Sequence, residues 1–220
     1  MFKTLFLVSL ALACAFATYG VDFSRYQGAP SQDVFNCFKK NGKDFLVIQI
    51  FGGGYGLNPN FATNWQKAKA AGIKYVDAYI FFCNNCQGNT AENICTSTKN
   101  ALPSGFDGMV WLDIEGCDGC WTGTTAQKLA YVHSVAAVCA AKGLKLGVYS
   151  GKGSWANVFG SHTVDGGALK VLPLWYSHYD GVANFNDWSS IKFGGYSKPA
   201  IKQYQGTTGF CGTSVDLNFY

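Results

Sequence analysis

Apolar, strand-length runs alternate with helix-like segments along most of this chain, and that rhythm constrains the fold more than any other feature. Residues 20–23, 45–51, 75–82, 109–114 and 145–149 read as strands. Residues 45–51 are a near-continuous apolar run, as in a strand buried on both faces of a parallel sheet. Helix-like segments follow at 32–41, 61–71, 90–101, 124–142 and 154–159, several of them stopped by a glycine. The clearest begins at Thr124 or Thr125, either of which can cap it, and carries Leu129, Val132, Val135, Ala136 and Cys139 as an apolar stripe. After residue 159 the pattern changes: 173–176, 200–204 and 215–219 are strand-like, with no strong helix between them. Five β/α units followed by three further strands predict an α/β fold, an irregular TIM-like barrel.

A parallel barrel gathers function at the C-terminal ends of its strands, and this chain puts acids there. Met109-Val110-Trp111-Leu112-Asp113-Ile114-Glu115 is an apolar run ending in carboxylates spaced i, i+2. Strand side chains alternate with period 2, so Asp113 and Glu115 point to one side, about 6.5–7 Å apart along the backbone. Glu115 is one of only two glutamates in the chain. Asp22 ends the first strand, in Gly20-Val21-Asp22-Phe23-Ser24, and Asp216 lies in the last, in Val215-Asp216-Leu217-Asn218. Closure of the barrel brings the last strand beside the first, and Asp216 beside Asp22. Four acids around one mouth are costly unless the site holds protons or a cation. Crowded acids whose pKa values are pushed apart suit acid-catalysed glycoside cleavage.

Residues 1–17 have the form of a secretory signal peptide: Lys3, an apolar run from Leu5 to Ala13, and an Ala15-Phe16-Ala17 cleavage site. That run is too short to span a bilayer, and no later segment reaches 18 apolar residues. Residues 18–220 are therefore expected as a single domain without a membrane span, secreted or in a lysosomal or phagosomal lumen. With Cys14 in the leader, eight cysteines remain: Cys37, Cys83, Cys86, Cys95, Cys117, Cys120, Cys139 and Cys211. An even number in an oxidising compartment implies up to four disulfides, and the sequence leaves their pairing open. Cys83-x2-Cys86 and Cys117-x2-Cys120 also have zinc-ribbon-like spacing, but the leader favours disulfides, so neither metal nor cofactor is expected. The net charge of +4 is modest, and no Lys/Arg cluster points to nucleic acid. His133, His162 and His178 lack zinc-ligand spacing, Gly151-Lys152-Gly153-Ser154 is not a P-loop, and there is no G-x-S-x-G elbow.

The chain resembles the family-25 glycoside hydrolases, the N-acetylmuramidase lysozymes, in their animal and amoebal branch. The resemblance runs through Gly20-Val21-Asp22-Phe23-Ser24, Asp77-Ala78-Tyr79-Ile80-Phe81, Trp111-Leu112-Asp113-Ile114-Glu115, Gly147-Val148-Tyr149-Ser150, Leu174-Trp175-Tyr176, Lys202-Gln203-Tyr204 and Val215-Asp216-Leu217-Asn218. Each motif is short; their order along the chain is what carries the match. It implies hydrolysis of the β-1,4 bond between N-acetylmuramic acid and N-acetylglucosamine in bacterial peptidoglycan, by a monomer. Glu115 would be the general acid, with a raised pKa. Asp113 would hold that pKa up and orient the substrate's acetamido group for substrate-assisted attack. Asp22 and Asp216 would support the oxocarbenium-like charge, hold a water or bind hydroxyls, with a carboxylate nucleophile as the competing mechanism. Tyr79, Tyr149, Trp175 and Gln203 match subsite positions; the competing reading makes them barrel core.

Two departures stand out. Ile80 takes the place where bacterial relatives commonly have histidine, and Gly52-Gly53-Gly54 replaces an acidic turn. The two C-x2-C pairs follow the third and fourth strands directly, where disulfides would brace the rim of a cleft. The alternative function is a wall-binding, lectin-like protein on the same barrel that does not cleave.

Overall fold

One parallel pairing, between β1 (Tyr19–Phe23) and β2 (Lys43–Gly52), closes the sheet into a barrel. The structure is a computed structural model that describes residues 17–220, so the expected leader lies outside the described residues except for Ala17. The other barrel strands are β4 (Tyr75–Phe81), β5 (Val110–Asp113), β6 (Leu146–Gly151), β7 (Leu174–Ser177), β8 (Ile201–Phe210) and β9 (Thr213–Phe219). The order around the wall is β1-β9-β8-β7-β6-β5-β4-β2, and the short β3 (Gly56–Leu57) hangs outside on β2. The fold is thus a closed eight-stranded mixed barrel with helices, as the βα rhythm predicts, plus one short strand that the Gly52-Gly53-Gly54 segment did not announce.

The mixing has a local cause. β8 and β9 are joined by Cys211 and Gly212, both with positive φ (53° and 78°). Two central residues at positive φ make the tight turn whose twist suits a hairpin. The hairpin makes β9 antiparallel to both β8 and β1, while every other barrel pairing is parallel. Asp216 therefore reaches the mouth from the middle of an antiparallel strand, opposite Asp22, not from the C-terminal end of a parallel one as the βα rhythm predicts.

The helices lie outside. They are α1 (Gln32–Lys40), α2 (Phe61–Ala70), α3 (Ala91–Ala101), α4 (Thr125–Ala141), α5 (Lys152–Phe159) and a single turn, α6 (Trp188–Ile191). Thr124 is the cap of α4: its hydroxyl accepts from the Gln127 N–H, and Gln127 Oε1 accepts from the Thr124 N–H. Val132, Val135 and Cys139 of its stripe are buried against the sheet. Alternation along β2 sends Leu46, Ile48 and Ile50 to this outer core and Phe45 and Val47 into the barrel, which is why the segment reads as apolar throughout. Ile80 also faces outward, so its replacement of a histidine leaves the barrel lining untouched.

The eight cysteines pair as Cys37–Cys211, Cys83–Cys86, Cys95–Cys139 and Cys117–Cys120. The first pins α1 to the hairpin turn and the third joins α3 to α4. Closing a loop of 44 residues, as Cys95–Cys139 does, contributes about 4 kcal/mol in the chain-entropy account. His133 is a packing residue whose Nε2–H donates to Gly166 O (2.9 Å).

The barrel interior is crowded with rings: Phe45, Trp111, Tyr149 and Trp175, with Tyr79 packed against them. Trp175 is central, its ring 4.4 Å from Tyr149 and 5.8 Å from Trp111. Room comes from inward-facing glycines. A Cβ on Gly147 would stand 2.3 Å from the Trp111 ring, and one on Gly20 would stand 2.5 Å from Phe45. Gly147→Ala should therefore destabilise the fold by about 1–3 kcal/mol, the usual cost of overpacking. Gly153→Ala, on α5 with open space at its Cβ, should be neutral or stabilising by up to about 1 kcal/mol. Urea unfolding of the two variants checks the contrast, and equal midpoints would refute it.

Candidate active site

Every site residue named from the sequence lines one pocket of about 100 Å³: Asp22, Tyr79, Asp113, Glu115, Tyr149, Trp175, Gln203 and Asp216, joined by Tyr179. Neighbouring strands supply them in register. Asp22 pairs with Asp216 across β1–β9, Gln203 with Asn218 across β8–β9, and Asp113 with Tyr149 across β5–β6. The pocket shares Asp22, Tyr79 and Asp216 with a second hollow of about 220 Å³ that reaches the exposed Tyr26 and Thr207. Together they form a groove across the mouth of the barrel.

The regular ladder of β5 ends at Asp113, although the Ile114 N–H still donates to Tyr149 O (2.9 Å) and Ser150 Oγ–H to Ile114 O (2.7 Å). Those bonds keep the chain extended far enough for Glu115 to follow Asp113 into the pocket. Beyond it, Trp121 Nε1–H donates to Glu115 O (2.7 Å). The rim loops then lock together. Asn84 Nδ2 donates to Thr122 O (2.8 Å), and Asn85 donates to Cys120 O through its N–H (3.0 Å) and to Gly119 O through its side chain (2.8 Å). The Cys83–Cys86 and Cys117–Cys120 bridges close these same two loops. Gly53 packs against the Cys83–Cys86 bridge, where a Cβ would meet Cys86 Sγ at 3.0 Å.

The acids are held by neutral partners. Among the described residues none of the four takes part in a salt bridge, and no lysine or arginine lines the pocket. Asp22 Oδ2 accepts from Gln203 Nε2 (2.9 Å) and Asn218 Nδ2 (2.5 Å). The same Gln203 amide reaches Asp216 Oδ2 (3.3 Å), so one side chain bridges two carboxyls. Tyr149 and Tyr179 fix that amide's orientation, both donating to Gln203 Oε1 (2.7 and 2.8 Å). Asp113 Oδ1 is buried without a hydrogen-bond partner.

Protons take the place of cations here. Burial, then the charges of Glu115 and Asp22, lift Asp113 well above the ordinary carboxylate range. Asp22 is pushed up to about 8, first by burial and next by Asp216, against the amide hydrogen bonds. Burial also raises Glu115, with the hydroxyl of Ser154 (3.3 Å from Oε1) pulling the other way. Asp216 is raised by burial and restrained by the Thr207 N–H.

Three residues here were not named from the sequence. Asn218 is two positions from Asp216, so strand alternation alone could have placed it on the same face. Ser154 sits in the first turn of α5, and Tyr179 on a loop after β7, where no periodicity marks them. That loop is held by Lys202, fully buried, whose Nζ lies 2.7 Å from Asp180 Oδ2 and 2.9 Å from Asp187 Oδ2. His178 Nδ1 lies 2.6 Å from Asp187, which also accepts from Tyr176 OH (2.7 Å). His178, Asp180 and Asp187 have metal-compatible geometry that histidine spacing did not reveal, but the Lys202 ammonium already occupies the two carboxylates.

A closed barrel whose mouth gathers unneutralised carboxyls and aromatic rings is the architecture of a barrel glycoside hydrolase. The comparisons agree. Residues 13–204 match the lysozyme-like protein 1 family. The chain is 39% identical over 214 residues to probable GH family 25 lysozyme 3 of Dictyostelium discoideum, covering 97% of this chain and 43% of that one. It is also 39% identical to probable GH family 25 lysozyme 2 of the same organism, covering 93% and 91%. The bacterial lysozyme of Streptomyces coelicolor shares the fold at a TM-score of 0.74 and 22% identity, over 91% of this chain and 90% of that one. The chain belongs to the glycoside hydrolase family 25 lysozymes.

The folded chain keeps the Asp22 proton up to about pH 8, while the unfolded chain releases it near 3.8. This contribution to stability is complete below the unfolded value and is lost as pH rises through the folded one. Asp180 and Asp187, held low by hydrogen bonds that outweigh their burial, act oppositely and only below about pH 4. Melting temperature should therefore fall between pH 4 and 8, and Asp22→Asn should flatten the fall. Parallel pH profiles for the two proteins would contradict this.

Proposed function

We propose that the protein is an N-acetylmuramidase that cleaves the β-1,4 bond between N-acetylmuramic acid and N-acetylglucosamine in bacterial peptidoglycan. The observation that carries this reading is Glu115: a partly exposed acid, its pKa raised, beside the deeply buried Asp113 in an aromatic groove without cations.

Glu115 protonates the leaving glycosidic oxygen; it stands at the groove surface, where a glycosidic bond can reach it, and its raised pKa keeps the proton available. Asp113 sits one strand repeat deeper. Its Oδ1 is buried without a hydrogen-bond partner, suited to the acetamido group of a bound sugar, whose carbonyl oxygen attacks the anomeric carbon. Asp22 is tied up by two amides, which favours a supporting role over a nucleophilic one. Asp216, less buried and shared between both parts of the groove, faces the developing positive charge. Tyr79, Tyr149, Trp175 and Gln203 form the pocket floor: they are core and lining at once, since the side chains that fill the barrel also hold its acids.

The substrate class fits the setting we propose. Four disulfides and a signal-like leader suit a secreted protein or one in a lysosomal or phagosomal lumen, for defence or bacterial digestion, and stability that grows towards acid suits the latter. A protein that bound walls without cleaving them would not need a protonated acid at the groove surface.

Glu115→Gln should lower turnover at least ~100-fold, the scale of lost general acid catalysis. Asp113→Asn should also be severe and should change the pH–rate profile, because the charge of Glu115 bears directly on Asp113. Mass spectrometry of wall digests should show N-acetylmuramic acid at the new reducing ends. Wall binding without new reducing ends would establish the lectin-like alternative instead.

A further inference from the structure

We infer that the opposite end of the barrel carries a second saccharide-binding site, which anchors the enzyme to polymer that its groove is not cutting. The inference takes its ligand class from the muramidase reading, although the chemistry of the pocket asks only for a pyranose ring.

A cavity larger than the catalytic pocket lies at the other end of the barrel. It measures about 470 Å³ and opens where β4, β5, β6, β7 and β8 begin. In parallel barrels this end ordinarily serves stability. Here it is open and walled by aromatic rings. Tyr75 and Tyr220 are 44% and 37% exposed, and their centroids lie 6.4 Å apart at 63°. Pro173 and Ala200 line the same cavity. Exposed tyrosine rings held in place by their neighbours are costly to leave wet and lose little freedom on binding. The volume falls within the range of small-molecule sites and accommodates one or two hexose rings.

The polar groups of the cavity narrow the choice. Lys145 Nζ spends one donor on Asp107 O (3.0 Å), leaving two of its three. Among the described residues nothing bonds the Asp107 carboxylate. Asp77, at the base, is not available, since its oxygens accept from the Met109 N–H and Trp111 Nε1–H, each at 2.9 Å. A ligand must therefore offer an apolar face to the rings and both donors and acceptors along one edge. A pyranose does: its C–H face stacks and its hydroxyls meet Asp107 and Lys145. An acyl chain would offer nothing to the exposed Asp107 and Lys145 charges at the rim of the cavity. A phosphate would face two lining carboxylates, Asp77 and Asp107, for one lining ammonium, Lys145, with the Lys74 ammonium outside the lining and 4.9 Å from the Tyr75 ring.

Distance decides what such a site does. The two openings lie a strand length apart, roughly 17–20 Å, at opposite ends of a filled barrel. One straight glycan segment cannot thread both, so the second site holds a different part of the polymer.

The test uses the purified protein with Glu115→Gln to stop turnover, titrated by NMR with soluble N-acetylglucosamine tetramer and with soluble peptidoglycan fragments. Two binding events are expected, one at the groove and one perturbing Tyr75, Lys145 and Tyr220. Tyr75→Ala and Asp107→Ala should weaken the second about tenfold and leave the first unmoved, while Tyr75→Phe should retain it. With Glu115 intact, the two alanine variants should hydrolyse soluble fragments within about twofold of the parent yet release less from insoluble walls. One-to-one binding confined to the groove would overturn the inference, and so would a concentration-dependent dimer that buries Tyr75. Failure to hydrolyse walls, with Tyr75-dependent sugar binding intact, would sink the muramidase reading and leave this one standing.

Discussion

The amide of Gln203 between Asp22 and Asp216 is the contact on which the rest of the site depends. Two carboxyls facing each other across paired strands would repel if both ionised, and burial would make each charge costlier. A lysine in their place would remove the repulsion and the reactivity together, since it would pin both acids as anions. A neutral amide donates to each without settling the charge. It leaves protons as the only means of neutralising the cluster, which keeps transferable protons inside a groove near neutral pH. Tyr149 and Tyr179 make that arrangement rigid by occupying the amide oxygen, so the amide nitrogen must face the acids.

The barrel is built to present this contact. Gln203 can bridge the two acids only because β9 lies between β8 and β1, and β9 can lie there only because a two-residue hairpin reverses it. A parallel eighth strand would need a crossover of a dozen or more residues, and the chain from Phe210 to Thr213 has no room for one. The hairpin is fastened from outside by Cys37–Cys211, on a residue already in the left-handed region. Below the acids, ring packing around Trp175 sets the floor, and the inward glycines decide which rings fit. Trp175 links the two layers, since its Nε1–H donates to Asn218 Oδ1 (2.8 Å), and Asn218 in turn holds Asp22.

Much of this was legible because strand alternation is a strict rule. Asp113 and Glu115, Asp216 beside Asp22, and the eight pocket residues all follow from period-2 reasoning, from barrel closure or from the ordered motifs. The antiparallel sense of β9 was not legible, because alternation is the same in either direction and Cys211-Gly212 is not a strong turn signal. Tyr179 was out of reach for another reason. It lies on a loop positioned by Lys202, Asp180 and Asp187, charges that a sequence reader assigns to solvent, whereas this lysine is completely buried. The disulfides show the same limit: the two C-x2-C bridges are local and their position at the rim could be anticipated, but Cys37–Cys211 joins residues 174 apart.

The two rim bridges bear on the proposed catalysis through Glu115. Glu115 is the one acid of the four that follows the end of its strand, so the ladder that fixes Asp113, Asp22 and Asp216 does not fix it. What does is a loop closed by Cys117–Cys120, tied by asparagine side chains to the loop of Cys83–Cys86, and anchored by Trp121 on the Glu115 carbonyl. The general acid we propose must move little and yet stay accessible, and a strand interior would hold it but bury it as deeply as Asp113. Placing Glu115 just past the ladder, in a loop stiffened by covalent bonds, satisfies both demands. This division explains why two adjacent acids of like chemistry serve different ends: the strand keeps Asp113 dry, and the braced loop keeps Glu115 both raised in pKa and within reach of a sugar.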